Sequence, residues 1–210
     1  KLIAGYPFPY QWNPDHPARV GVLGRNAPAD SIIWCDVEPC YVFHPANAFV
    51  DADGQIIVDV VTHDRMFARS NYGPDSEHPQ CERWTIDPAA KKVARKVIDA
   101  RPQEFPRYDE RLTGKPYRYA IAVATPEVET KNLTVDDTRL YRHDLELEQT
   151  EQHDFGSGRH PGEFVFIPRD PVAGGETDGW YMGLVINAGD ETTDPVILNA
   201  DDFPGLPQAV

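Results

Sequence analysis

Three residues are the best candidates for chemistry: one histidine and two glutamates. His44 lies in EPCYVFHPANAF (residues 38–49), an aromatic and β-branched run that reads as a strand, with its imidazole at the strand end pointing inward and Pro45 closing it. On this residue alone two readings stay open, a core histidine satisfied by a backbone carbonyl and a metal ligand. Glu104 opens EFPRYDERLTGKPYRYAIA. Glu163 opens EFVFIPR, where alternation sets it on the face of Val165 and Ile167. A carboxylate on an apolar face is costly unless a donor meets it. The N–H of a metal-bound imidazole is such a donor, because the carboxylate fixes the ring while the other nitrogen holds the metal. Exposed strand ends explain the same two glutamates without a metal.

Short β runs must position these residues. Residues 19–23, 32–35, 40–43 and 56–61 are strand-like by β-branched and aromatic content, with DADG (51–54) as a hairpin turn. Residues 81–86 and 93–98 alternate across a turn at 87–91, and further strands are expected at 117–124, 138–147, 164–167, 180–186 and 196–199. NAGDETTD (187–194) reads as another hairpin tip, and residues 70–80, rich in Pro, Asp and Ser, as a surface loop. Long helical periodicity is absent, and the helix-friendly stretch at 88–96 is short and interrupted. Twenty prolines and fifteen glycines fit frequent turns. The chain is therefore all-β, a sandwich, barrel or propeller, and no internal repeat selects among these.

Charge and cysteine usage narrow the setting. The net charge is −14 and the twenty basic residues are scattered, which disfavours nucleic acid and charge-driven binding to anionic membranes. No apolar run reaches the length of a membrane span, and the first residues do not resemble a signal peptide. Peripheral membrane contact and the oligomeric state stay open. Cys35, Cys40 and Cys81 are odd in number and lack CxxC spacing, so they read as reduced thiols in a cytoplasmic protein. Both ends of the chain read as cut.

The order of motifs is more specific. ARVGVLGR, EPCYVFHPANAF, RWTID (83–87), PQEFPRYDERLTGKPYRYA (102–120), FGSGRHPGEFVFIPRD (155–170) and DGWYMGLVIN (178–187) resemble successive motifs of the carotenoid cleavage oxygenase family over nearly the whole chain. The resemblance implies a seven-bladed β-propeller with one Fe(II) on its axis, held by four histidines whose rings are steadied by three glutamates. Residues 1–210 would form one partial propeller domain, the C-terminal portion without the N-terminal blades and the extreme C-terminus. His44 matches the third iron histidine, and Glu104 and Glu163 match two of the three glutamates. The other three iron histidines would lie outside residues 1–210. His16, His63, His78, His143, His153 and His160 are not at ligand positions and read as surface or turn residues. Gly24, where a proline is usual, and Val50, where an acidic residue is usual, depart from the pattern.

The implied activity is cleavage of an alkene double bond in an apolar substrate by O2, giving two carbonyl products. Carotenoids or apocarotenoids are the first choice of substrate and stilbene-type phenylpropanoids the second. Phe43 and Phe105 would serve as packing or tunnel groups. Two further readings are a non-catalytic β-propeller that binds partners and a calcium-dependent propeller hydrolase. Asp51, Asp53 and Asp59, which the latter would need, are better explained by a hairpin and its flanking strand. With one of four ligands, the 210-residue chain alone is expected to bind no iron tightly, to cleave nothing, and to expose a sheet edge that favours association.

Overall fold

Apolar–polar alternation punctuated by turn residues folds into antiparallel meanders. The computed structural model describes residues 10–69, 76, 79–126 and 137–209, and within them four meanders follow one another along the chain. β1 (Ala18–Val22) pairs with β2 (Ile33–Val37). β3 (Pro45–Val50), β4 (Ile56–Thr62), β5 (Gln80–Asp87) and β6 (Lys92–Asp99) form a sheet in that order. β7 (Gln103–Tyr108), β8 (Tyr119–Ala124), β9 (Arg139–Asp144) and β10 (Gln149–Asp154) form the next, and β11 (Arg159–Pro168), β12 (Gly179–Asn187) and β13 (Thr192–Asn199) the last. β7 touches β3 and β4 on one side and β11 on the other, so the leading strands of the three larger sheets are neighbours. This is the blade arrangement of part of a β-propeller. Among the described residues no helix is long and apolar enough to cross a membrane.

The expected hairpins at 51–54, 87–91 and 187–194 are present, and three of the hairpins share one construction. β5–β6, β9–β10 and β12–β13 each turn over four residues, and the last of the four, Lys91, Glu148 or Glu191, has φ near +54°. The Oδ1 of Asp87, Asp144 or Asn187 accepts backbone N–H groups from its own tip. Such Asx capping substitutes for backbone pairing at a tight turn. The repetition escaped the sequence because the three tips (PAAK, LELE, AGDE) share geometry rather than residues.

Several strand expectations need correction. Residues 40–43 are not a regular strand; Tyr41 alone makes a bridge, to His63. The four steps from Tyr41 to Pro45 run beside three from Val60 to His63, and the surplus residue breaks the ladder. The strand expected at 138–147 ends at Asp144, since residues 145–148 are a hairpin tip. β3, β7 and β10 were not foreseen: β3 begins on Pro45, β7 contains Pro106, and β10 (QTEQHD) is polar on both faces. The surface loop expected at 70–80 lies mostly outside the described residues.

Two apolar clusters hold the sheets together. Ile121, Val123 and Leu140 pack against Phe164, Tyr181, Val185, Val196, Leu198 and Phe203, joining the second and third large sheets. Gly183, opposite Phe164 on β12, lets the Phe164 ring lie over its own sheet, because a Cβ there would sit 2.4 Å from that ring. Val37 of β2 packs with Val60 and Trp84 to seat the first hairpin on the β3–β6 sheet. Polar clamps set the angle between the β3–β6 and β7–β10 sheets. Buried Asn47 donates to the carbonyls of Leu112 and Lys115 and accepts from the Gly114 N–H. Asp59 accepts from Arg83 Nε and Nη2, each at 2.8 Å, and from the Tyr117 hydroxyl at 2.6 Å.

Candidate metal centre

The three leading strands are each interrupted at one point. Register shifts fall between Pro45 and Ala48 in β3, Glu104 and Arg107 in β7, and Pro161 and Phe164 in β11. A β-bulge inserts a residue, kinks the strand and re-aims the local side chains. His44 directly precedes the first bulge, Glu104 begins the second and Glu163 lies within the third.

Glu104 is the best-held of the three. Its carboxylate is buried and accepts three donors. His44 Nδ1–H reaches Oε2 at 2.9 Å, the Phe105 backbone N–H reaches Oε2 at 3.0 Å, and His63 Nε2–H reaches Oε1 at 2.6 Å. Phe105 itself adopts φ +56°, a left-handed conformation that a bulky residue enters only at a cost of roughly 1–3 kcal/mol.

That carboxylate decides the state of His44. A carboxylate that accepts here needs a proton on Nδ1, so in the neutral ring Nε2 carries the lone pair. The His44 side chain is 47% exposed, and its ring lies between Phe43 (centroids 6.1 Å apart) and Phe105 (5.1 Å). Within residues 1–210 the ring is therefore half-exposed, beside the leading strands of the larger sheets. The ladder is broken at 41–45, where the ring is half-exposed, while the His44 carbonyl still accepts from Val61 N–H at 3.2 Å.

Glu163 has a different environment. Its side chain is 50% exposed, it faces Arg107 Nη1 at 3.7 Å, and Arg107 in turn bonds Glu110 at 2.5 Å. His44 and Glu104 are therefore brought together, and Glu163 has no hydrogen bond to either.

The remaining histidines divide. His16 is exposed and His160 half-buried, as expected, and His78 is outside the described residues. His63, His143 and His153 are buried, against the surface reading given to them. His143 places Nε2 on Gln103 Oε1 at 2.6 Å and Nδ1 on Thr150 Oγ1 at 2.9 Å, and burial pushes its pKa down to about 4. His63 is the site residue that sequence reasoning missed. Its signal was the apolar run IIVDVVT, which continues the strand pattern up to it.

His44 fits the role of one metal ligand: a fixed tautomer, a free nitrogen and aromatic shielding. Among the described residues no group of three or more His, Cys, Asp or Glu converges to complete a site. The acidic residues weighed for calcium are committed elsewhere. Asp51 caps its hairpin through Asp53 and Gln55 N–H groups, and Asp59 is neutralised by Arg83.

Comparison with known proteins gives consistent matches. The family model described as "Retinal pigment epithelial membrane protein" matches residues 3–210. The chain is 36% identical over 207 residues to a carotenoid cleavage oxygenase of Mycobacterium tuberculosis, covering 95% of this chain and 40% of the relative. It is 28% identical over 215 residues to resveratrol cleavage oxygenase 1 of Aspergillus fumigatus, covering 92% of this chain and 43% of the relative. The crystal structure of the cobalt-substituted Synechocystis apocarotenoid oxygenase superposes with a TM-score of 0.80 at 30% identity, over 94% of this chain and 41% of that one. The chain thus spans roughly two fifths of the length of these proteins. Matched by that model along nearly all its residues, and folded as the corresponding blades of a solved relative, the chain belongs to the carotenoid cleavage oxygenase family.

Proposed function

We propose that this chain is part of an enzyme that cleaves an alkene double bond in an apolar carotenoid or apocarotenoid with O2 at a four-histidine Fe(II) centre. The four-electron oxidation is internally balanced: the carbon–carbon double bond and the O–O bond break, and two C=O bonds form. In this reading residues 1–210 are a partial propeller domain, and the remaining blades and iron ligands belong to the longer protein. His44 supplies one ligand. Fe(II), when bound, would supply activation of dioxygen toward the alkene.

The chain's own residues do the rest. Glu104 holds His44 in the Nδ1–H tautomer, so that Nε2 is always ready to bind and the ring cannot rotate away. Phe43 and Phe105 flank the ring and give it apolar neighbours on two sides. Glu163 is offered at the equivalent bulge of the third large sheet, to steady another ligand's ring. The three free cysteines support a reducing, cytoplasmic setting.

The observation that carries this reading is the 2.9 Å bond from His44 Nδ1 to a buried carboxylate, which leaves an exposed Nε2 between two aromatic rings. The decisive test is made on the full-length protein. The parent should hold about one Fe(II) and transfer both atoms of ¹⁸O2 into two carbonyl products, and His44→Ala should lose both properties. Retention of iron and cleavage by His44→Ala would reject the assignment. The 28% identity to a resveratrol oxygenase favours a stilbene as the second substrate to offer. A parent protein with no iron and no turnover would favour a non-catalytic binding propeller.

A further inference from the structure

We propose that His63 is a positioning residue for the metal ligand, acting through Glu104. This rests on the reading of His44 as a ligand and extends it by one residue outward.

His63 follows the end of β4 and is held by reciprocal backbone hydrogen bonds with Tyr41, both 2.8 Å. Its side chain is buried, with the ring edge-on to Phe43 at 5.5 Å between centroids. A residue serving only to pack in this aromatic setting needs no nitrogen. Nδ1 of His63 is buried and has no hydrogen-bond partner among the described residues, a desolvation cost that a phenylalanine would avoid. What the imidazole gains is the 2.6 Å bond from Nε2–H to Oε1 of Glu104.

The value of that bond follows from the geometry of the carboxylate. Two donors, His44 Nδ1–H and Phe105 N–H, both meet Oε2. Oε1 is restrained by His63, and without that bond the carboxylate is held at its Oε2 end only, with a wider range of rotation about its Cγ–Cδ bond. The angle at which Oε2 meets the His44 ring would then vary. One carboxylate therefore imposes opposite tautomers on two imidazoles, Nδ1–H on His44 and Nε2–H on His63. His63 fixes the carboxylate, and the carboxylate fixes the ligand.

The test uses the metal-free full-length protein with ¹⁵N-labelled histidine imidazoles, whose nitrogen resonances report the tautomer of each ring. The parent should show His44 solely as Nδ1–H and His63 solely as Nε2–H. His63→Phe should give His44 a mixture of tautomers, whereas His63→Gln, whose amide N–H₂ replaces Nε2–H, should preserve the single one. If His63→Phe does not fold, His63→Asn, too short to reach Oε1, takes its place. The same series should retain Fe(II) up to about 10-fold less tightly in His63→Phe than in His63→Gln. A single Nδ1–H tautomer of His44 in His63→Phe or His63→Asn would overturn the proposal, as would a tautomer mixture in the parent. Opposite tautomers in a protein that binds no iron would uphold the positioning role and reject the iron reading instead.

Discussion

The β7–β10 sheet meets its two neighbours in contrasting ways. Toward β11–β13 it presents Ile121, Val123 and Leu140 to a cluster that includes Phe164, Tyr181 and Phe203. Toward β3–β6 it presents directional polar contacts: Glu104 to His44 and His63, Tyr117 to Asp59, and the 112–115 turn to Asn47. Apolar burial scales with area and tolerates small rotations, whereas a hydrogen bond weakens steeply with angle. The apolar junction therefore supplies cohesion and the polar one supplies orientation. The two glutamates at matching bulges fit this division: Glu104 on the polar junction is buried and triply bonded, and Glu163 on the other is half-exposed beside an arginine.

The contrast can be tested by substitution. Phe164→Ala should have the largest effect, lowering the unfolding free energy by about 3–5 kcal/mol in urea denaturation through cavity formation against Gly183. A loss below about 1 kcal/mol would show that the apolar cluster is not what binds the sheets. Glu104→Ala strands three donors and should cost about 3 kcal/mol, with greater mobility of the His44 ring as a further signature. Acid should loosen the polar side. His143, bonded to Gln103 next to Glu104, has its folded-state pKa held down to about 4 by burial, against about 6.5 in the unfolded chain. The unfolded state therefore takes up the proton first. This contribution is full above about pH 6.5 and falls away toward pH 4, by about 3 kcal/mol in all. Denaturation curves across that range should show the slope, and His143→Gln should flatten it. Glu163→Ala should be the mildest, within about 0.5 kcal/mol, because an exposed ion pair contributes little. A loss comparable to that of Glu104→Ala would erase the distinction between the two carboxylates.

How much of this could be read in advance depended on how local the determining contacts are. Hairpins at 51–54, 87–91 and 187–194 were readable because Asx and Gly chemistry is confined to a few residues. The all-β class followed from period-two alternation, and the sheet arrangement from the order of the motifs. Local reading failed where a residue's partner is remote. His63 and His143 looked like surface residues because the groups that bury them, Glu104 and Gln103, lie forty or more positions away. β3 and β7 were hidden by Pro45 and Pro106, which stand at or near bulges where the ladder is already broken. The pairing of His44 with Glu104 was foreseen, but the break in the ladder beside it was not, because it depends on one surplus residue opposite Val60–His63.

The three interrupted leading strands have a consequence for how such a protein can change over time. Because side chains alternate across a strand, removing the extra residue at any one interruption would straighten it and swap the two faces of everything on one side. His44 or Glu163 would then turn from solvent into the stack of sheets, and Glu104 would turn away from its three donors. Exchange of one amino acid for another at these places is graded in effect, but a single-codon deletion is not. The spacing from each interruption to its functional side chain should therefore resist insertion and deletion more strongly than the identity of the residues between them.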